Sequence, residues 1–188
     1  MYNKRMKQQI FSSSVYALIE MESGGVLKYK YDQKEMRLKP ERIFARALHK
    51  EICYGFIINT LGFDEYPLNI FIISKNKYRV GDLVLAKPIG MLEMEDQDGA
   101  DDKIVSIDVM DKRSEKISDI SELPEGYARE IYNEISYSKR NAAMRWGRLM
   151  KFSGAEKAKE EIDNAFDNFL IEKENEKEAL TTSPFCFL

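Results

Sequence analysis

The sequence of 188 residues has only two cysteines, Cys53 and Cys186, and only one histidine, His49. So few thiols exclude the dense disulfide framework of small secreted domains and predict an intracellular protein. The cytoplasm is favoured, and the basic segment over residues 1–9 leaves an organelle as the alternative. A single histidine excludes a multi-histidine transition-metal site, and no Ser-His-Asp arrangement can be assembled around it.

Long apolar runs and an excess of one charge are also missing. No apolar run approaches the roughly 20 residues of a membrane-spanning helix, so no membrane association is expected. Lys and Arg number 29 against 32 Asp and Glu, and the net charge of -3 gives no general attraction for nucleic acid. Stacking aromatics are not interspersed with basic residues, which further argues against a nucleic-acid partner.

The residues that are present suit one domain, since 44% are hydrophobic and the length allows one full core. We predict a flexible segment at 1–13, one domain at 14–172 and a mobile tail at 173–188. The first part of the domain contains short β-like runs separated by turn residues. These runs are Val15–Glu20, Leu27–Tyr31, Gly55–Thr60, Asn69–Ile73, Leu83–Pro88 and Lys103–Val109.

After Asp111 the apolar residues recur at helical spacing, which predicts two helices that pack on the β-rich part. The first has a stripe of Leu123, Tyr127, Ile131 and Ile135. The second runs from about Gly154 to Glu174, with a stripe of Ala158, Ile162, Ala165, Phe166, Phe169 and Leu170.

The segment 91–103 is unusually acidic around Gly99, and two interpretations of it stay open. Its acids are Glu93, Glu95, Asp96, Asp98, Asp101 and Asp102. They either form a solvated loop or converge on a hard divalent cation such as magnesium, which prefers oxygen ligands.

Several strings in the sequence resemble one known family. Residues 81–90 read GDLVLAKPIG, and Asp96, Gly99 and residues 101–105 (DDKIV) follow. Before them come YGFI at 54–57, Thr60-Leu61, Pro67, and Lys28-Tyr29 with Asp32. Together they resemble the first family of soluble inorganic pyrophosphatases, in register from about Tyr16 to Phe169.

The resemblance implies an α+β, mainly β fold, in which a five-stranded OB-like closed barrel carries two flanking C-terminal helices. It implies Mg²⁺ as cofactor, if any metal site survives, and pyrophosphate or a similar anion as ligand. The family's metal ligands correspond to Glu20, Asp64, Asp96 and Asp101. Its substrate-binding groups correspond to Lys28, Arg42, Tyr54, Lys103 and Lys139, the last chosen over Tyr137 because Trp146 follows at the right distance.

Three positions depart from the family pattern. Tyr66 stands for the carboxylate that accepts a proton from water, Asn69 for a bridging Asp, and Lys30 for a supporting Glu. The site becomes about four charge units more positive, and each unit is worth on the order of 4 kcal/mol for charges about 4 Å apart. Because these three positions are altered, we assign no side chain as a catalytic residue.

The departures lead to two functional hypotheses. The first is a catalytically weak or inactive homologue that acts as a structural or regulatory subunit of a larger assembly. The alternative is an active Mg²⁺-dependent enzyme that hydrolyses pyrophosphate to two phosphates. By resemblance, a homo-oligomer is expected in either case.

Overall fold

The computed structural model describes residues 13–32, 35–44, 46–96, 99–124, 126–127, 129–133 and 147–182. The strands are β1 (Val15–Met21), β2 (Leu27–Asp32), β3 (Arg37–Ile43), β4 (Ile52–Ile57), β5 (Asn69–Ile73), β6 (Leu83–Asp96), β7 (Gly99–Ala100), β8 (Lys103–Asp108) and β9 (Gly147–Gly154). Two 3₁₀ helices span Lys112–Glu115 and Ile120–Glu122. Helical residues follow at 127 and 129–133, and the long helix α1 spans Ala155–Thr182.

Five strands pair around a closed ring. β1 pairs antiparallel with β4, β4 pairs antiparallel with β5, and β5 runs parallel to β8. β8 then pairs with β6, and β6 returns to β1. The ring therefore has the number of strands that the resemblance predicts. β2 and β3 form a separate hairpin beside it.

The 14-residue strand β6 closes this ring because it serves several partners along its length. Its beginning pairs with β1, and its end pairs with β7 and β9. The register to β8 shifts between Pro88 and Gly90, at a residue type that cannot donate a ladder hydrogen bond. A Cβ at Gly90 would lie 2.7 Å from the Ser153 carbonyl oxygen, so only glycine allows this close approach.

Two buried clusters cover the two faces of the ring strands. The first takes alternate side chains from all five strands, and α1 adds Ala158, Ile162 and Ala165 at helical spacing. The second contains Ile131, with Leu123 and Tyr127 packed against it. Both predicted helical stripes thus face the core over these residues, while Ile135 lies outside the described residues.

The helix α1 is longer than its apolar spacing predicted. It continues to Thr182 rather than ending near Glu174, and Leu170 is half exposed although the sequence placed it in the apolar stripe. Charged residues dominate this second half of the helix, which extends past the core. None of the described helices has the length and apolar character needed to cross a membrane.

Several strands differ from the sequence-based expectation. β4 ends at Ile57 rather than Thr60, because Asn59 adopts a φ of 59° in the turn that follows. β6 runs eight residues beyond its predicted end at Pro88, and β3, β7 and β9 were not predicted. Strand β3 contains Pro40 and lacks regular apolar alternation, so its sequence carries little strand signal.

The acidic segment 91–103 is largely strand rather than loop. β6 extends to Asp96, and β7 pairs with it through Asp96 and Gly99. Glu93 faces β9, where its carboxylate accepts from Ser153 and lies 3.2 Å from Lys151 Nζ. Glu93 therefore has its partners on β9, and its charge adds to burial in raising the pKa of the Asp102 carboxyl.

Because α1 is held by a few buried side chains, Ile162→Ala should lower the free energy of unfolding by about 2–5 kcal/mol. Urea denaturation measures this change. Ile171→Ala is the matched control on the same helix, since Ile171 is 56% exposed, and it should change stability by less than about 0.5 kcal/mol. Equal effects of the two substitutions would contradict the packing of α1.

Candidate active site

The hairpin of β2 and β3 supplies the cationic side of the candidate site. Lys28 faces Arg42 across the hairpin, and Lys30 lies two residues further along β2 on the same face. Lys28 is buried, whereas Lys30 is exposed. A buried ammonium beside a guanidinium requires nearby negative charge, because burying an unpaired charge is costly.

Two carboxylates supply that negative charge. Lys28 Nζ lies 2.8 Å from Glu41 Oε2 and 3.8 Å from Glu20 Oε2. Glu20 also accepts a hydrogen bond of 3.0 Å from the Tyr31 backbone N–H. Burial raises the pKa of the Glu20 carboxyl, and the charge of Lys28 offsets only part of that rise. Burial also acts to raise the pKa of Glu41, but its pairing with Lys28 prevails and lowers it.

Tyr54 lies near Lys28 and is within the electrostatic influence of both Glu20 and Asp101. Burial raises the pKa of its phenol well above the usual value, and the charges of Asp101 and Glu20 raise it further. Its ring packs on Phe71 with centroids 4.9 Å apart, and Lys28 Nζ lies 5.4 Å from its ring centre. Tyr54 therefore stays a neutral hydrogen-bond donor at physiological pH.

A second group of predicted residues lines a pocket between β5, β8 and α1. Asp64, Asn69 and Asp101 are among its lining residues, although they are distant in sequence. Asn69 is the register partner of Lys103 on the parallel strands β5 and β8. Asp101 forms an ion pair with Lys103, whose side chain is buried. The fold thus brings the altered position Asn69 next to two retained positions.

Two further carboxylates in this pocket were not among the predicted site residues. Asp102 accepts from the Met94 backbone N–H at 2.8 Å, and burial raises the pKa of its carboxyl. Glu161 reaches the pocket from α1, and its pKa is raised by burial and then by the charge of Asp102. Asp102 belongs to the acidic segment, but nothing in the helical pattern distinguishes Glu161 from the other acids of α1.

Three of the predicted site residues lie elsewhere or outside the described side chains, namely Glu20, Asp96 and Lys139. Glu20 lies with Lys28 and Glu41 and is not among the residues that line the pocket. The side chain of Asp96 and the whole of Lys139 lie outside the described residues. Within the described chain, no set of three or more His, Cys, Asp or Glu side chains is close enough to hold a metal alone.

Two of the three departures from the family pattern contact each other. The Lys30 ammonium lies 4.0 Å from the centre of the Tyr66 ring, a cation–π contact. Tyr66 belongs to a tight loop in which its N–H donates to Asp64 Oδ1 at 3.1 Å and its carbonyl accepts from the Gly62 N–H at 2.8 Å. The loop therefore connects the hairpin cations to the pocket acids.

Magnesium suits the chemistry of the pocket, since Asp64, Asp101 and Asn69 offer carboxylate and amide oxygens. This ion usually uses one or two carboxylates together with substrate phosphates and water. Oxygen donors next to a lysine ammonium are typical of one class of protein, the metal-dependent proteins that act on phosphate compounds.

Comparisons with known proteins identify the family within that class. The family model for inorganic pyrophosphatase matches residues 17–170. The inorganic pyrophosphatase of Nanoarchaeum equitans is 35% identical over 157 residues, covering 82% of this chain and 97% of the relative. That of Saccharolobus solfataricus is 28% identical over 155 residues, covering 81% and 90% respectively.

A solved structure agrees with the sequence comparisons. The crystal structure of inorganic pyrophosphatase from Thermus thermophilus matches with a TM-score of 0.79 at 29% identity, covering 84% of this chain and 92% of that one. The chain therefore belongs to the inorganic pyrophosphatase family. Its fold is the OB-like fold of that family, mostly β with two helical regions.

The ion pairs of Lys28 with Glu20 and Glu41 predict how the Glu20 carboxyl titrates. Its carboxyl should titrate above the ordinary range in wild type, and Lys28→Met should raise its pKa further because a compensating positive charge is lost. A carboxyl-carbon NMR titration measures both values. Lys159→Met is the control, since Lys159 pairs with Glu156 on α1. A Glu20 pKa that is ordinary, or that stays unchanged in Lys28→Met, would contradict the arrangement.

Proposed function

We propose that the protein hydrolyses inorganic pyrophosphate to two phosphates with magnesium, and that the altered positions make this hydrolysis slow. The observation that carries the proposal is that Asp64, Asn69 and Asp101 line one pocket beside the buried Lys103. The curated relatives reported above are named as inorganic pyrophosphatases, and this supports catalysis more than its complete loss.

The cationic residues are suited to hold the substrate. No described residue accepts a hydrogen bond from the buried Nε of Arg42, so this residue keeps an unused donor beside Lys28. Lys28 and Lys103 add ammonium groups, which can exchange their carboxylate partners for phosphate oxygens. Tyr54 adds a neutral donor, and together these groups would hold the two phosphates in a fixed orientation.

Asp64 and Asp101 would hold magnesium, with Asn69 as a neutral oxygen ligand. When bound, the ion supplies positive charge beside the phosphoryl oxygens and favours ionisation of an attacking water. Asn69 carries no charge, so it holds a cation less firmly than a carboxylate does. Tyr66 offers no carboxylate to accept a proton from water, and these two changes account for a slow reaction.

A second candidate function is a non-catalytic subunit that retains anion binding. The contact between Lys30 and Tyr66 favours it, because an ammonium and a neutral ring stand together where the family has two carboxylates. The hypothesis of a catalytically inactive subunit therefore stays open beside slow hydrolysis. An intracellular location and self-association stay predictions from cysteine content and family resemblance.

Phosphate release from pyrophosphate separates these functions. Wild type should release phosphate slowly with Mg²⁺, and Asp101→Ala should abolish the release. The double variant Tyr66→Asp with Asn69→Asp should be faster by roughly 100-fold or more, since a positioned base contributes about 10²–10⁴ in rate. Asp167→Ala removes an exposed carboxylate of α1 and should leave the rate unchanged.

The phosphate-release assay distinguishes slow hydrolysis from a non-catalytic subunit. A silent wild type with an active double variant would support the non-catalytic subunit and reject slow hydrolysis. If neither protein releases phosphate, the pocket is not a pyrophosphatase site. Activity that persists in Asp101→Ala would show that the pocket described here does not carry the reaction.

A further inference from the structure

The loop at residues 62–66 displays two aromatic side chains at the edge of the candidate site. Phe63 is 80% exposed and lines the pocket that contains Asp64 and Asp101. Tyr66 is 52% exposed and follows three residues later. Core packing therefore accounts for little of the Phe63 ring and for only part of the Tyr66 ring.

An ammonium group stands next to one of these rings. Lys30 Nζ lies 4.0 Å from the centre of the Tyr66 ring, and Lys30 is itself exposed. A flat aromatic group that approached this loop would find rings to stack on and a cation close by. A molecule that combines a flat ring with a phosphate chain satisfies both features at once.

We propose that the loop at 62–66 binds the base of a nucleoside diphosphate, whose two phosphates occupy the cleft described for pyrophosphate. This inference rests on the proposed function, because it adds a nucleoside to the same diphosphate group. Phe63 and Tyr66 are the specificity-determining residues, and Lys30 neutralises the phosphate nearest to the base. Stacking depends on a π face that every base has, so the loop distinguishes nucleotide from bare diphosphate rather than one base from another.

The structure gives this ligand a consistent charge pattern. The pocket beside Phe63 contains the carboxylates of Asp64, Asp101, Asp102 and Glu161. These acids repel an uncompensated anion, so the phosphates would enter with magnesium, while the base stays outside among the rings. The two parts of the ligand therefore meet chemically different parts of the site.

The test compares two diphosphates that cannot be hydrolysed at their bridging position, methylenediphosphonate and α,β-methylene-ADP. Isothermal titration of the full chain with Mg²⁺ should show that wild type binds the nucleotide about tenfold more tightly, as stacking of one base allows. Phe63→Ala and Tyr66→Leu should each bring the ratio of the two affinities close to one. Tyr66→Phe keeps the ring and should keep the ratio. Tyr132→Ala, which removes an exposed ring elsewhere, should also keep it.

Each other result has a definite meaning. Equal binding of both ligands by wild type overturns this inference and leaves the proposed function standing. Binding of the nucleotide without any binding of methylenediphosphonate supports the aromatic site and counts against pyrophosphate as the substrate. A preference that survives Phe63→Ala and Tyr66→Leu overturns the assignment of these residues. If those variants instead change the sedimentation of the protein and not the affinity ratio, the rings are a contact between copies and the inference fails.

Discussion

The long strand β6 is the constraint on which the rest of the structure depends. One strand pairs with β1 at its beginning, with β8 through its middle and with β9 at its end. These pairings require a shift of register near Pro88 and a glycine at position 90, where any side chain would collide with Ser153. Because β6 closes the ring, β5 and β8 are held side by side, and Asn69 meets Lys103. The candidate site is therefore a product of ring closure.

Charge compensation is the second organising feature of the site. Lys28 is paired with Glu41 and lies near Glu20, and Lys103 is paired with Asp101. Buried ion pairs of this kind contribute little net stability, since desolvation offsets most of their attraction. They hold charged groups in fixed positions, and in the proposed reaction a phosphate and a divalent cation would replace the internal partners.

The departures from the family pattern also have a structural logic. Lys30 and Tyr66 contact each other, so the two changes are compatible as a pair. A lysine at position 30 would face a carboxylate if residue 66 were aspartate, and the tyrosine gives it a ring instead. This contact makes the edge of the candidate site aromatic and cationic at this point.

Much of the fold could be predicted from the sequence. Strand β5 was predicted with its observed limits, and the helical spacing of Ala158, Ile162 and Ala165 identified the buried stripe of α1, because local periodicity follows burial. β3 and β9 were missed, since their sequences lack regular alternation and their strand form depends on partners elsewhere in the chain. The end of α1 was placed too early, because charged helix beyond the core has no apolar stripe to mark it.

The candidate site, like the fold, was predicted from the sequence only in part. By itself, the sequence determined which residue types stand at each position, and it predicted which of them match the family pattern and which three depart from it, since such matches are local. Only the tertiary structure decided which residues meet. It paired Glu93 with Ser153 of β9, brought Glu161 of α1 to the pocket, placed Glu20 beside Lys28, and set Lys30 against the ring of Tyr66. Such contacts join residues far apart in the chain, and only ring closure and helix packing fix them.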